Sequence, residues 1–323
     1  MKKLLLLFIG VMMTFSARAA IGDDAFTIKT TEGWTMVFQI ISEEEKTCMV
    51  GARYLVIDGI IRENVPGVLK YNPESWNEKT SSYDEQFIID KVVIPAEANG
   101  YKVTQIRDLA FYNYQDLMEI ELPEGLEVIG SMAFANCKVL KSIDFPSTLK
   151  EIGGMSFQEC DAMETVILPE GLTAVYASAF KAAGVYLLSL PSTLTTLGSE
   201  AFSYNPLSQV YARLQTPIDI PADAFTQLDP ITHKPAQKSS ALFVTPGLAD
   251  SFKAVDCWND TFRYIWDHMS YDEWLATDVK EVKEDASAEV EYYDMNGRKV
   301  QSAQRGVYVV RDKEGNIKKR FVR

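Results

Sequence analysis

A phenylalanine that follows Ala or Ser recurs through the middle of this 323-residue sequence at intervals of 22 or 23 residues. The positions are Phe111, Phe134, Phe157, Phe180, Phe202 and Phe225. A second series, made of prolines, runs in step with it at Pro123, Pro146, Pro169 and Pro191. Two series with one period indicate an internal repeat. Units of this length must stack, because each is too small to bury its own apolar face.

Each unit carries the same order of short structural signals. Leu140, Ile143 and Phe145 follow the pattern L-x-x-L-x-L, whose alternation predicts a short strand, and Pro146 then ends it because proline cannot donate to a strand ladder. A second apolar pair comes next, and then the Ala-Phe pair, which we expect on a helical turn. The repeat predicts a curved solenoid with a parallel sheet on one side, turns or short helices on the other, and a stacked spine of phenylalanines.

The unit resembles the BspA-like, or treponemal-type, leucine-rich repeat of bacterial surface proteins. Ile152-Gly153 matches the I-G step of that family and Cys160 its final Cys. A strand at 241–247 followed by a helix that ends in Trp258 is similar to the family's closing segment. The resemblance extends over roughly residues 30–266. It implies a leucine-rich repeat fold of the α/β class and a surface protein, in a family whose ligands vary or are unknown.

Changes in composition divide the chain into six parts. We expect a signal peptide at 1–19, a β-rich N-terminal cap at 20–91, leucine-rich repeats at 92–227, a C-terminal cap at 228–276, a linker at 277–290 and a small antiparallel β module at 291–323. The two caps are expected because a stack of repeats has two ends that need a polar cover.

The first residues have the features of a targeting segment. A basic start at Lys2 and Lys3, an apolar run at 4–13 and small residues on both sides of Arg18 predict a secretory signal peptide cut after Ala19. This run is too short to cross a hydrocarbon core about 30 Å thick, and no other stretch is long enough, so we expect no membrane span in the mature chain. The prediction is an exported protein at the cell surface or outside the cell, with the periplasm as the alternative.

The end of the chain differs in charge from the rest. Residues 291–323 contain nine Lys or Arg and four Asp or Glu, a charge of +5 within a chain of net charge −13. Asn296-Gly297 predicts a tight turn between strands. The segment from 293 to 310 resembles the C-terminal sorting domain of the type IX secretion system, which implies passage across the outer membrane. A small structural β module is the alternative. Three strands are marginally stable alone, so we expect the module to dock or dimerise.

The sequence contains few residues or motifs that would support catalysis or the binding of a metal or phosphate. Its net negative charge argues against nucleic acid as a partner, because phosphate binding needs a basic surface. Cys257 and His268 are the one conceivable nucleophile pair, and no group of Cys or His residues has the spacing of a zinc site. No glycine-rich phosphate loop is present. We therefore predict no enzyme activity, no cofactor and no metal site.

Two cysteines occupy the same position in neighbouring repeats. Cys137 and Cys160 should be stacked neighbours, and an oxidising compartment could join them if their separation permits. Two small buried thiols are the favoured interpretation, because other repeats place Ala183 and Asn205 at this position.

The outward positions of the L-x-x-L-x-L strands line one face, which in solenoids is commonly the binding surface. These positions are Glu119, Glu121, Ser142, Asp144, Thr165, Ile167, Leu187, Ser189, Gln209 and Tyr211. The face changes from acidic to apolar along the stack, and Ile167, Leu187 and Tyr211 would form an exposed patch. We expect an adhesion-type module that binds a protein or glycan of unknown identity here. A self-assembling envelope protein without an external ligand is the alternative, and the sequence leaves the oligomeric state open.

Overall fold

The N-terminal strands continue a sheet that runs through the repeats. The computed structural model describes residues 25–30, 35–57, 60–69, 76–77, 82–83, 88–227, 240–267, 291–293, 299–300, 306–311 and 317–322. The strands before the repeats are β1 Ala25–Lys29, β2 Thr35–Ser42, β3 Thr47–Val50, β4 Ala52–Ile57, β5 Ile60–Val65, β6 Val68–Leu69, β7 Trp76–Asn77 and β8 Ser82–Tyr83. Antiparallel pairing joins β2 to β1, β3 and β6. The predicted signal peptide and linker lie outside the described residues.

Successive repeats align their strands in two parallel ladders. The strands are β9 Lys91–Val93, β10 Glu97–Ala98, β11 Tyr101–Ile106, β12 Glu119–Glu121, β13 Val128–Ile129, β14 Glu151–Ile152, β15 Thr165–Ile167, β16 Ala174–Val175, β17 Leu187–Leu190, β18 Thr196–Leu197 and β19 Gln209–Ala212. The first ladder, from the L-x-x-L-x-L segments, contains the pair β9-β12 and the series β15-β17-β19. The second contains β11-β13-β14-β16-β18 and joins the N-terminal sheet through β3. The predicted parallel sheet is confirmed.

The closing segment adds two more strands to the first ladder. Its elements are β20 Ala241–Val244, α1 Ala249–Lys253, α2 Asp256–Thr261 and β21 Tyr264–Trp266, and the last strands of the chain are β22 Glu291–Tyr293, β23 Lys299–Val300, β24 Gly306–Arg311 and β25 Ile317–Val322. These last four form one antiparallel sheet in the order β23-β22-β24-β25. Both helices of the described residues belong to the closing segment. Of the two alternatives expected on the other side of the repeats, turns or short helices, the described residues form turns, together with a second strand ladder.

The phenylalanines form the expected spine. All six rings are buried, and successive centroids from Phe111 to Phe225 are 5.0, 5.1, 5.0, 5.1 and 5.6 Å apart with nearly parallel planes. Trp258 and Phe262 of the closing segment continue the contact beyond Phe225, at 6.4 and 5.2 Å. One aromatic ring per repeat thus connects every unit to the next.

The turn that carries each Ala-Phe pair is not helical. In the second turn of the series Met132 and Asn136 have φ angles of 55° and 64°, which lie outside the right-handed helical region. The backbone N–H groups of Phe134 and Asn136 instead donate to the carbonyls of Ser156 and Gln158 in the next repeat, both at 2.7 Å. The turns therefore add a third set of hydrogen bonds between repeats.

The I-G step marks a close approach between neighbouring backbones. A Cβ atom on Gly153 would lie 2.6 Å from the carbonyl carbon of Gly130 and 2.6 Å from the nitrogen of Ser131. A Cβ atom on Gly130 would lie 2.5 Å from the nitrogen of Asp108. Glycine is required at these positions because no side chain fits between two stacked turns.

Side-chain hydrogen bonds also join repeats in pairs. The Glu124 carboxylate accepts from the Ser147 backbone N–H at 3.2 Å and from its hydroxyl at 3.0 Å. Thr148 Oγ1 accepts from the Gly125 N–H at 2.9 Å and donates to the Leu126 carbonyl at 2.8 Å. The same contacts recur among Glu170, Gly171, Leu172, Ser192 and Thr193. A Pro-Glu-Gly-Leu unit followed by a Pro-Ser-Thr-Leu unit therefore specifies the alignment of two repeats.

Ser156→Ala should raise the free energy of unfolding by about 1 kcal/mol, because an unsatisfied buried hydroxyl typically costs about 1–3 kcal/mol. Ser156 is fully buried, its Oγ has no hydrogen-bond partner, and every other phenylalanine of the spine follows Ala. Urea denaturation measures the effect. Ser203→Ala is the control, because the Ser203 hydroxyl is also buried but donates to the Asp223 carbonyl, so its removal should destabilise. A lower urea midpoint for Ser156→Ala would contradict the prediction.

Candidate functional site

Strand register places the predicted site residues in two columns on the outward side of the first ladder. One column contains Thr165, Leu187, Gln209, Ala241 and Tyr264, and the other contains Ile167, Ser189, Tyr211, Phe243 and Trp266. The residues between the columns, such as Val166 and Leu188, are in the main core. Earlier in the chain β9 and β12 place Lys91 beside Glu119 and Val93 beside Glu121.

The first part of this surface is accessible to solvent. We call it the open face and define it as Lys91, Val93, Glu119, Glu121, Ser142, Asp144, Thr165 and Ile167. Seven of these residues are exposed and Thr165 is half-buried. Two of them are large apolar residues, Val93 at 50% and Ile167 at 39% exposure. The open face therefore combines exposed carboxylates with isolated apolar side chains.

Ion pairs order the two glutamates of the open face. Lys91 Nζ lies 2.5 Å from Glu121 Oε1 and 3.7 Å from Glu119 Oε2, and Lys141 Nζ lies 3.9 Å from Glu119 Oε1. The hydrogen bond with Glu121 is the main cause that raises the pKa of Lys91 above its ordinary value. Exposed pairs of this kind contribute little to stability because water screens them, so a cation from a ligand can replace the lysine at little cost.

The strand ladder is interrupted in the middle of the open face. β12 pairs with β9 and β15 pairs with β17, but residues 141–145 form no strand. Here the Ser142 hydroxyl accepts from the Thr165 backbone N–H at 3.1 Å, in place of a backbone carbonyl. Ser142 and Asp144 therefore lie at a local break between two rigid parts of the face.

Four of the predicted site residues are not accessible, which corrects the prediction of an exposed patch at the later strands. Leu187, Ser189, Gln209 and Tyr211 are exposed by only 5%, 0%, 0% and 1%. Leu187 and Tyr211 form a second small core with Ala241 and Phe243, separate from the main one. The alternating pattern predicted which way these side chains point but not whether another part of the protein lies over them.

Stacking between aromatic rings accounts for part of the burial of Tyr211. The rings of Tyr211 and Phe243 stack with centroids 4.8 Å apart, and Phe243 meets Trp266 edge to face at 5.9 Å. We call the outward side chains of β17, β19 and β20 the aromatic patch: Leu187, Ser189, Gln209, Tyr211, Ala241 and Phe243.

Two polar atoms in the aromatic patch lack a hydrogen-bond partner. They are Ser189 Oγ and Gln209 Nε2, both fully buried. The Gln209 oxygen accepts from the Tyr211 hydroxyl at 3.2 Å, so only one end of the amide is satisfied. Burial of such groups costs free energy, which marks the patch as a place where packing is not optimised for stability.

Six further residues of the outward positions were absent from the predicted set: Lys91, Val93, Ala241, Phe243, Tyr264 and Trp266. Each lies on a strand that pairs in register with a predicted strand. The strands at 92–95 and 241–247 are recognisable in the sequence. Selecting the outward positions of these strands as well would have included Lys91, Val93 and Phe243.

The structure gives no sign of catalytic or metal chemistry in the residues it describes. Cys257 is half-buried, and its predicted partner His268 lies outside the described residues. No three His, Cys, Asp or Glu side chains of the described ranges are grouped as metal ligands. Among the same residues, no helix is both long and apolar enough to span a membrane.

The stacked cysteines are buried in the core, and no disulfide joins them. Cys137 Sγ lies 3.1 Å from the Phe111 carbonyl and Cys160 Sγ lies 3.1 Å from the Phe134 carbonyl, each as a donor to the preceding repeat. Burial is the main cause that raises the pKa of the Cys160 thiol well above its ordinary value, and burial raises the pKa of Cys48 to about 12. Cys48 and Cys160 are therefore structural, since burial suppresses the reactive thiolate form.

Sequence comparison identifies the repeats. Residues 89–232 match the family model of the BspA type leucine rich repeat region in six copies. The match is narrower than the 30–266 suggested by the sequence alone. No curated protein shows significant similarity to the chain.

Several solved leucine-rich repeat structures are similar. A leucine-rich repeat protein of T. pallidum is 29% identical with a TM-score of 0.37, over 38% of this chain and 58% of that one. This chain therefore spans less than two thirds of the T. pallidum protein. A leucine-rich repeat protein of Bacteroides ovatus is 16% identical with a TM-score of 0.40, over 79% and 68% of the two chains. A leucine rich cell surface protein of Faecalibacterium prausnitzii is 17% identical with a TM-score of 0.31, over 78% and 73%.

Proposed function

We propose that this chain is an exported binding protein of adhesion type, which holds a protein ligand through the open face of its BspA-type repeats. The observation that carries the proposal is the arrangement of the open face. It presents solvent-accessible carboxylates and single apolar side chains on strands whose inward residues, such as Ile120 and Val166, lie in the main core. Rigid strands that vary only at outward positions are how repeat proteins commonly present a binding surface.

The charges of the open face favour a basic segment of a protein as the ligand. Glu119 and Glu121 lie on one strand of the face and are only weakly neutralised by exposed lysines, and Asp144 is exposed nearby on the same face. Val93 and Ile167 supply the apolar contacts at its two ends. A glycan, the other ligand considered from the sequence, is less well supported, because the rings of Tyr211 and Phe243 that would stack on sugars are buried.

Export and surface location are part of this proposal. They rest on the signal sequence predicted at 1–19 and on the resemblance of residues 291–323 to a type IX sorting domain, with the periplasm as the alternative location. A role in self-assembly of the cell envelope remains the second hypothesis and predicts oligomers whose mass rises with concentration in light scattering.

The test is a charge reversal at the open face. The full chain and the variant Glu121→Lys/Asp144→Lys are compared for binding to arrays of purified extracellular proteins and of glycans. We expect proteins with exposed basic segments to bind the wild type and to lose at least tenfold in affinity with the variant, because attraction becomes repulsion. Added salt should weaken the wild-type interaction.

The control carries the same change in charge elsewhere. Glu44 and Glu127 are exposed and lie outside the open face, so Glu44→Lys/Glu127→Lys should bind within about twofold of the wild type, as expected for rim or distant charges. Equal affinity of the wild type and the Glu121→Lys/Asp144→Lys variant for every ligand found would overturn the assignment of the face. Ligands found only among the glycans would overturn the choice of a protein.

A further inference from the structure

The aromatic patch is buried although it lies on the outward side of a sheet. Side chains on the face of a sheet become fully inaccessible only when another layer packs over that face. Among the described residues, the partly buried hydrophobic side chains that pack against the patch are Tyr186, Tyr264 and Trp266, which belong to the same ladder or precede one of its strands. These side chains lie beside the patch and do not form a second layer over it.

The C-terminal module is a single sheet that also needs a second layer. Its four strands form one antiparallel sheet, in which Tyr293, Val309 and Lys319 lie side by side, as do Val307 and Phe321. The strands are rich in Val, Tyr and Phe. A single sheet of short strands cannot bury these residues by itself, since a sheet needs a second layer on at least one face.

The charge of the C-terminal module and the length of the segment before it permit the module to reach the aromatic patch. Residues 291–323 carry +5, whereas the chain as a whole carries −13. The last strand of the first ladder ends at Trp266, and the 23 residues from 268 to 290 connect it to the module. An extended chain of this length reaches about 75 Å at roughly 3.3 Å per residue.

We propose that the C-terminal module docks on the aromatic patch of its own chain as a second sheet. The docked module covers the later strands of the first ladder and leaves the open face accessible, so it limits where a ligand can bind. Ser189 Oγ and Gln209 Nε2 regain water when the module leaves, which lowers the cost of undocking. Removal of the tail would thus expose a new aromatic surface. The docking itself does not depend on the proposed ligand.

The experiment cuts the connection in the intact protein. A specific protease site is placed within 277–290 of the full chain, the chain is cleaved, and gel filtration with light scattering follows the 291–323 fragment. We expect the fragment to elute with the repeats at the mass of one chain. Ser189→Arg should raise the separately eluting fraction at least tenfold, because it places a charge and a long side chain in the middle of the patch.

The matched control lies one strand away in the same column. Ile167 pairs with Ser189 in the parallel register and is exposed, so Ile167→Arg should retain the fragment as the wild type does. Circular dichroism melting shows whether each variant is folded. If Ser189→Arg lowers the melting temperature of the repeats, Gln209→Glu replaces it, since this change adds charge without adding volume.

Three results would overturn the proposal. The wild-type fragment could elute alone after cleavage, which would mean that it does not dock. The uncleaved protein could have the mass of a dimer, which would make a second copy the cover of the patch. A folded Ser189→Arg or Gln209→Glu variant could retain the fragment fully, which would mean that the module docks elsewhere.

Discussion

Phe157→Ala should lower the free energy of unfolding by about 3–5 kcal/mol, as other truncations of a fully buried phenylalanine do. The Phe157 ring stacks on Phe134 at 5.1 Å and on Phe180 at 5.0 Å, and Phe145 meets it edge to face at 5.8 Å. The substitution leaves a cavity between two aromatic neighbours that the turns on either side hold apart by backbone hydrogen bonds. Urea denaturation followed by circular dichroism measures the loss.

Tyr112→Ala is the control for the spine. Tyr112 adjoins the spine residue Phe111 in sequence, but the residue is 45% exposed. Its removal should change stability by about 0.5 kcal/mol or less, as is usual for surface positions. A Phe157→Ala variant that loses less than about 1 kcal/mol would show that the stacked rings do not connect the repeats.

Asn205→Ala should cost about 3–5 kcal/mol, because it leaves several buried backbone groups without partners at about 1–3 kcal/mol each. Asn205 Oδ1 accepts from the N–H groups of Ala183 and Val185 at 2.9 and 3.0 Å. Its Nδ2 donates to the carbonyls of Phe180 and Phe202 at 2.7 and 2.9 Å. All of these contacts are buried within the stack.

The need for Asn205 follows from a one-residue deletion in the preceding repeat. The repeats with Cys137 and Cys160 have two residues between the Cys position and the first apolar residue of the next strand. This repeat has only Gly184 between Ala183 and Val185, and the next has only Pro206 between Asn205 and Leu207. In a full-length repeat the Met163 N–H donates back to the Cys160 carbonyl at 3.1 Å. The shorter segment cannot close this bond, and the Asn205 amide supplies the missing acceptor.

Cys160→Ala provides the comparison for Asn205→Ala at an equivalent position. It removes one sulfur donor and little volume, and the chain itself has Ala at 183. We expect a loss of about 1 kcal/mol, as for a single modest core truncation. Equal losses for Asn205→Ala and Cys160→Ala, measured by urea denaturation, would show that the amide contacts do not matter.

Part of the fold and of the site was predictable because it depends on local pattern. The spacing of Phe111 to Phe225 predicted the stacked spine, and the alternation in segments such as 163–168 predicted parallel strands and their inward residues. The helical turn at the Ala-Phe pair was wrong. Positive φ angles there are stabilised by hydrogen bonds to the next repeat, which no property of an isolated segment reveals.

The accessibility of the outward face could be predicted only in part. Glu119, Glu121 and Asp144 are exposed as their charge suggests, whereas Ser189 and Gln209 are fully buried despite being polar. Alternation determines the side of the strand on which a residue lies, but burial depends on what packs over that side. The interruption at Ser142 likewise depends on how two neighbouring repeats align.

The sequence by itself determined the repeat length, the aromatic spine, the parallel first ladder and the list of outward positions, because each follows from periodicity within one unit and its stacking on the next. Only the tertiary structure decided which outward positions meet water, how Asn205 compensates for a shortened repeat and how pairs such as Glu124 and Ser147 align the units. The physical reason is that these features depend on contacts between segments that are distant in sequence. Residues with the same place in the repeat pattern can differ in their contacts and in their exposure to water.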